Sequence, residues 1–260
     1  MTLYAMRHDR SLLRNDDPQP FEVVNADSAS PVLLVCEHAG RAIPAGLTDL
    51  GLTPQVMDMH IAYDIGAGAV ARRVAEALDA PLVLQPYSRL VIDCNRPVEA
   101  ADAIPETSDG VTVPGNRNLT QESRRSRVEA IFEPFHRTIS ELIEKSHRST
   151  LVAIHSFTRH FSGLQRLWDV GFAFRADRQT AEFLADQLRR RDPSLLIGMN
   201  EPYAIDASDW SIPAHGEGRK LAHSLIEIRN DHLRDETGQR HWADLLSGAI
   251  EELASRKAPS

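Results

Sequence analysis

PVLLVCEHAG, residues 31–40, is the stretch on which the fold turns. Pro31 opens it, Val32 to Val35 are all valine or leucine, and Ala39-Gly40 closes it. A short apolar run bounded by turn formers reads as a strand buried on both faces. Strands of that kind belong to parallel sheets covered by helices on both sides, where ligands sit beyond the carboxyl ends. Cys36, Glu37 and His38 fall at that end. The pattern recurs in TLVAIHSF, residues 150–157, where an apolar strand ends at His155.

Working outward, strand patterns alternate with helical ones. MHIAYDIGAGAVARRVAEALDA, residues 59–80, has the apolar spacing of a helix, and PLVLQPYS and RLVIDCNRP read as two strands or a hairpin. Residues 99–119 are turn-rich and long, which marks a functional loop. A long helical stretch follows over 120–148, with Thr120 as N-cap and Pro134 placed to kink or divide it. VGFAF, LLIGMN and AHSLIEIRND supply further strands; residues 177–192 and 238–257 supply helices. This alternation predicts an α/β fold, a mostly parallel sheet with helices on both faces. The polar, Asp/Pro-rich residues 1–30 read as an irregular arm, and 31–260 as a single domain.

Composition narrows the function. A formal net charge of −8 argues against nucleic-acid binding, which needs clustered Lys and Arg. No apolar stretch is long enough to span a membrane, and the first residues lack a signal-type apolar core. Two cysteines suit a reducing, cytoplasmic setting without disulfides. Nothing in the sequence indicates an oligomeric state.

Two strands that each deliver a histidine to one sheet edge suggest a metal site, and neutral imidazole suits zinc. His60 and Asp64, four residues apart in the helical pattern, are candidates for the third ligand. Glu37 is a weaker one, because strand alternation points it away from its neighbour His38. The same alternation disfavours Cys36 as a thiol nucleophile beside His38. Ser156 lacks the glycines of a nucleophile elbow, and GAGAV, residues 66–70, lacks the strand context of a nucleotide loop.

The motifs CEHAG, HIAYDIGA, YSRLVIDCNRP, PFHRTI, IHSFT, NEPY and IEIRND, in this order, closely resemble the N-formylglutamate amidohydrolase family over about residues 31 to 245. The resemblance implies a three-layer α/β sandwich with a mostly parallel mixed sheet, the phosphorylase/hydrolase-like fold of zinc carboxypeptidases and cell-wall amidases. It implies release of formate from N-formyl-L-glutamate, a step of histidine catabolism. By position His38 would be the first zinc ligand and His155 the last, with Asp64 favoured between them over His60 and Glu37. Glu227, in LIEIRND, would be the general acid/base, unless it only pairs with Arg229.

A dicarboxylate or N-acyl amino acid substrate calls for cations. Arg89, Arg96 and Arg229 are the candidates, with His60 as a further substrate-binding residue. Arg89, Asp93 and Asn95 would share one strand face, so an Arg89–Asp93 pair ordering the sheet edge is the alternative. The sequence departs from the family pattern at Arg159, at Leu167 and Asp169 in RLWDVG, and at Phe135 in PFH. Those departures keep open a deacylase or carboxypeptidase-like enzyme of other substrate, or a non-catalytic binding protein on the same fold.

Overall fold

The computed structural model describes residues 12–146, 148–161 and 163–256. Its main sheet has seven strands: β1 (Glu22–Val24), β2 (Val32–Cys36), β3 (Leu82–Leu84), β4 (Thr150–Phe157), β5 (Val170–Ala173), β6 (Ile197–Met199) and β7 (Ala222–Arg229). They lie in the order β1-β3-β2-β4-β7-β5-β6. The β3–β2, β2–β4, β4–β7 and β5–β6 pairs are parallel. The β1–β3 and β7–β5 pairs are antiparallel. The sheet is therefore mixed and mostly parallel, as the alternating pattern predicts.

The five residues of β2 explain the layers. Val32, Leu34 and Cys36 face one way, onto Val70 and Val74 of α1 (Ala67–Ala77) and a core that includes Leu184 and Leu246. Leu33 and Val35 face the other way, onto Ile131, Phe135 and Ile139. Their cover is α2 (Gln121–Arg127), a π-helical turn and α3 (Glu133–Lys145). Leu184 and Leu246 belong to α4 (Arg178–Arg191) and α5 (Glu236–Ala254), which complete the first layer with α1. A strand with helices on both faces has no use for a polar residue, and every β2 residue is buried.

The Thr120 hydroxyl accepts from the Ser123 N–H at 3.1 Å, capping α2. Pro134 lies directly after the π-helical turn Val128–Phe132, so the winding changes there and the helical run continues through it as α3. None of the described helices is long and apolar enough to cross a membrane.

Four segments differ from the expectations. Residues 58–66 form turns, and α1 begins only at Ala67. Gly66 lies there at φ 81°, against Leu233 so closely that a side chain would overlap it. His60 and Asp64 consequently share no helix face. Residues 89–97 are also turns rather than a strand, so Arg89, Asp93 and Asn95 share no strand face. The N-terminal stretch is not wholly irregular: Glu22–Val24 forms the antiparallel edge strand β1, while residues 1–11 lie outside the described residues. Finally, β4 runs on to Phe157, which places His155 inside the strand rather than past its end.

Candidate active site

The loop leaving β2 folds back at once. The Asp64 N–H donates to the His38 carbonyl at 2.9 Å, carrying the Asp64 carboxylate over the sheet's carboxyl edge. There Asp64 Oδ2 lies 2.9 Å from His155 Nδ1 and 3.4 Å from His38 Nδ1, and accepts from the Ser156 N–H at 3.2 Å. One donor atom each from His38, Asp64 and His155 fall within 4.8 Å of one another, and all three residues are buried.

The outer nitrogen of each imidazole faces a second acid. His38 Nε2 meets Asp93 Oδ1 at 2.7 Å, and His155 Nε2 lies 2.9 Å from Glu37 Oε2. Asp93 also accepts from the Asn95 N–H at 2.8 Å and from Arg89 at 2.6 Å. The inner nitrogens thus face a shared carboxylate, while Asp93 orients the His38 ring through a hydrogen bond and Glu37 sets a charge beside that of His155. That is the usual arrangement around a protein-bound metal. His38 Nδ1, buried, has no hydrogen-bond partner. Two imidazoles and one carboxylate leaving a position open are a donor set suited to catalytic zinc, so the residues fit such an ion.

The electrostatics agree. Burial alone would raise the Asp64 carboxyl, but the His38 and His155 charges and the hydrogen bond with His155 hold it well below the usual range. Burial would raise Glu37 too, yet His155, Ser211 and His38 bring it down to about 2. Burial would depress His155; Glu37 and Asp64, one on each side, overcome this and hold it well above the ordinary imidazole value. Without an ion, protons on imidazole balance these acids, and a cation takes the place of such protons when it binds.

Glu227 enters from β7. It is the register partner of His155 across the parallel β4–β7 pair, so both side chains leave the same face. The residue is 8% exposed, and its Oε2 has no hydrogen-bond partner. Burial raises its carboxyl to about 7, Asp64 adds to the rise, and His155, His38 and Arg89 pull against it. His38, Asp64, His155 and Glu227 all line one cavity of about 390 Å³, room for a small-molecule ligand.

A family model for N-formylglutamate amidohydrolase matches residues 30–233. The chain belongs to that family. It is accordingly an amidohydrolase by family. A crystal structure of a gene product from Agrobacterium tumefaciens is 35% identical, covering 93% of this chain and 99% of that one with a TM-score of 0.87. N-formylglutamate amidohydrolase from Ralstonia eutropha JMP134 shares the fold at 18% identity, covering 91% and 97% with a TM-score of 0.66. No curated protein matches the chain.

The other candidates fall into two groups. His60, Arg89 and Arg96 line the cavity. Each is already paired: His60 with Asp109 at 3.2 Å, Arg89 with Asp93, and Arg96 with Asp102 at 3.0 Å and Asp209 at 3.1 Å. His60 stands outside the three-residue donor cluster. Arg229 does not line the cavity. Asp231 at 2.7 Å, Asp169 at 3.0 Å and the Trp168 carbonyl at 3.1 Å hold its guanidinium.

The departures from the family pattern now have places. Asp169 binds Arg229 and, at 2.9 Å, His232. Arg159 lies 3.6 Å from Asp231, Leu167 is exposed, and Phe135 is fully buried in the core. Glu37 was discounted by strand alternation, but β2 ends at Cys36, so alternation no longer governs it. Asp93 as the His38 partner was hidden by the same strand reading. Tyr203 also lines the cavity, and the NEPY motif that contains it is its only signal in the sequence.

Proposed function

We propose that the chain is a metal-dependent amidohydrolase, zinc by its donor set, cleaving the amide bond of an N-formyl or other N-acyl amino acid. N-formyl-L-glutamate is the reference substrate. The observation that carries the reading is the convergence of His38 Nδ1, Asp64 Oδ2 and His155 Nδ1 in one cavity with Glu227, whose Oε2 has no hydrogen-bond partner. His38, Asp64 and His155 would hold the ion; Asp93 and Glu37 would fix the two imidazoles. When bound, the ion supplies Lewis-acid polarisation of the amide carbonyl. Glu227 takes a proton from the attacking water and passes it to the departing nitrogen as the C–N bond breaks, giving the carboxylic acid and the free amino acid. Buried positions for all four residues limit competing solvent.

A second reading keeps the chemistry and changes the side chain of the substrate. It is favoured by the pairing of Arg89, Arg96 and His60 with acids, which leaves none of them free for a second carboxylate.

Metal content and turnover of formyl-, acetyl- and larger acyl-amino acids decide between these. About one divalent ion per chain, lost in His38→Ala and His155→Ala, is expected. Glu227→Gln should keep the metal and lose ~10²–10⁴ in turnover. A metal-free protein of full activity overturns the proposal. Faster cleavage of acetyl or peptide substrates than of formylglutamate overturns the formylglutamate assignment alone.

A further inference from the structure

Glu227 has a register partner on each side, His155 on β4 and Gly171 on β5. Two residues earlier on the same face of β7, Leu225 lies between Ala153 and Ala173. The three metal-ligand candidates gather on the other side of Glu227, because His38 follows β2 and His155 lies on β4. Passing from β2 to β4 to β7, the next strand is β5. With the scissile carbonyl at the His38–Asp64–His155 cluster and the amide nitrogen at Glu227, the amino acid that departs on that nitrogen extends over β7 and β5.

The chain between Asn200 and Asp206 covers β5 on this face, and it is pinned at both ends. The Asn200 N–H donates to the Phe172 carbonyl at 2.9 Å, and the Phe174 N–H donates to Asn200 Oδ1 at 2.8 Å. The Glu201 carbonyl comes so close to Gly171 that a Cβ there would lie 2.0 Å from its oxygen. At the far end Arg175 donates to the Asp206 carbonyl at 3.4 Å. Tyr203, Ala204 and Ile205 are thus laid along β5 above Ala173 and Leu225, and Ile205 joins those two in one apolar cluster. All five line the catalytic cavity. None of them carries a charge, since burial raises the Tyr203 phenol and keeps it neutral. The arginines that line the cavity are Arg89 and Arg96, and Asp93, Asp102 and Asp209 already hold them.

We propose that Ala173, Leu225, Tyr203, Ala204 and Ile205 form the pocket for the side chain of the departing amino acid, and that it selects apolar side chains, leucine and methionine among them, over glutamate. This rests on the amidohydrolase reading of the same site and fixes the side chain that its second form leaves open. An apolar side chain gains by leaving water for such a wall. A glutamate side chain would bury its carboxylate there with no cation to receive it, which costs more than its two methylenes return.

The test compares the N-formyl derivatives of alanine, leucine, methionine, phenylalanine and glutamate on the metal-loaded wild type, Ala173→Val and Ile205→Ala. In kcat/KM the wild type should prefer the leucine and methionine derivatives to the alanine and glutamate ones by ~10–100-fold, the scale of a methylene or two in an apolar pocket. Ala173→Val narrows the pocket and should lower the leucine-to-alanine ratio by about tenfold. Ile205→Ala widens it and should raise the phenylalanine-to-leucine ratio by about the same factor. A wild type that cleaves the glutamate derivative at least as fast as the leucine and methionine ones overturns the proposal. So do folded, metal-loaded variants that change all five substrates by one common factor. If one variant does not fold, the other and the wild-type panel decide. Should no N-acyl amino acid be cleaved, the functional reading fails. Calorimetry with free leucine and free glutamate then judges the pocket separately. Tighter binding of leucine, weakened in Ala173→Val, upholds it; equal binding, or tighter binding of glutamate, overturns it.

Discussion

Lowering the pH should destabilise this protein through two histidines outside the catalytic cavity. Arg219 donates to His215 Nδ1 at 3.3 Å, His215 Nε2 meets His136 Nδ1 at 2.9 Å, and His136 Nε2 donates to the Cys94 carbonyl at 2.8 Å. That chain works only with both rings neutral, since a second proton on either leaves two donors facing each other. Burial is the main cause in each case: it brings His136 down to about 4, against raising effects of the Cys94 carbonyl and Glu37. For His215 burial is joined by His136 and Arg219, against Glu37, giving about 3. An unfolded histidine titrates near 6.5. Because the folded values are depressed, the unfolded chain takes up protons first as the pH falls. Stability is therefore intact above about pH 6.5 and drains away between there and about 4. Between about pH 7.5 and 5.5 each histidine should remove ~1.4 kcal/mol, the pair ~3 kcal/mol. Other groups titrate as well, so the readout is a difference. His215→Gln keeps a donor toward His136 and removes one titration. Urea unfolding at both pH values should show the variant losing about 1.4 kcal/mol less than the wild type over that interval. Equal losses would refute the neutral-pair argument, whatever the variant's stability at the higher pH.

Three further outcomes follow from the packing and the site. Leu33, fully buried between β2 and the α3 layer, should cost ~2–5 kcal/mol on Leu33→Ala, seen as a lower urea midpoint with unchanged slope. Asp93→Asn removes the charge behind His38 and should weaken metal binding ~10–100-fold in a chelator competition, while the Asp64 and His155 donors remain. Arg229→Met should lower stability by ~1–3 kcal/mol, because Asp169 and Asp231 keep only His232 and Arg159, and leave KM for acidic substrates unchanged; a large rise in KM would return Arg229 to the substrate site.

Much of this architecture can be read along the chain because its cause is local. Val32 to Cys36 alternate between two helical layers, so an unbroken apolar run is what a doubly covered strand requires. Helices α3 to α5 each bury one stripe, and α2, α4 and α5 carry their caps in sequence as Thr120, Asp177 and Asp235. Periodicity misled where a functional turn borrows helical residues. IAYDIGA has helix-forming neighbours, yet Gly66 at positive φ and its contact with Leu233 delay the helix to Ala67. Nothing near Gly66 in sequence announces Leu233, which arrives from the far end of the chain.

The site divides along the same line. His38 and His155 stand out because an apolar strand has no structural use for them; Glu227 stands out only through the family resemblance, and its register beside His155 belongs to the fold. Their supports do not stand out, because each is a carboxylate whose partner comes from another segment. Asp93 looks like the mate of Arg89, and it is; the sequence spacing is silent about His38, 55 residues away. Assigning one partner to each charged residue therefore fails in a buried cluster. An acid taken out of water has several lone pairs to satisfy, and Asp93 meets a histidine, an arginine and a backbone N–H at once. The same accounting separates Arg229 from Arg166. Both are buried cations, but Asp169 and Asp231 complete the first, whereas the second meets rings, a carbonyl and a phenol. A buried cation already matched by the protein is architecture.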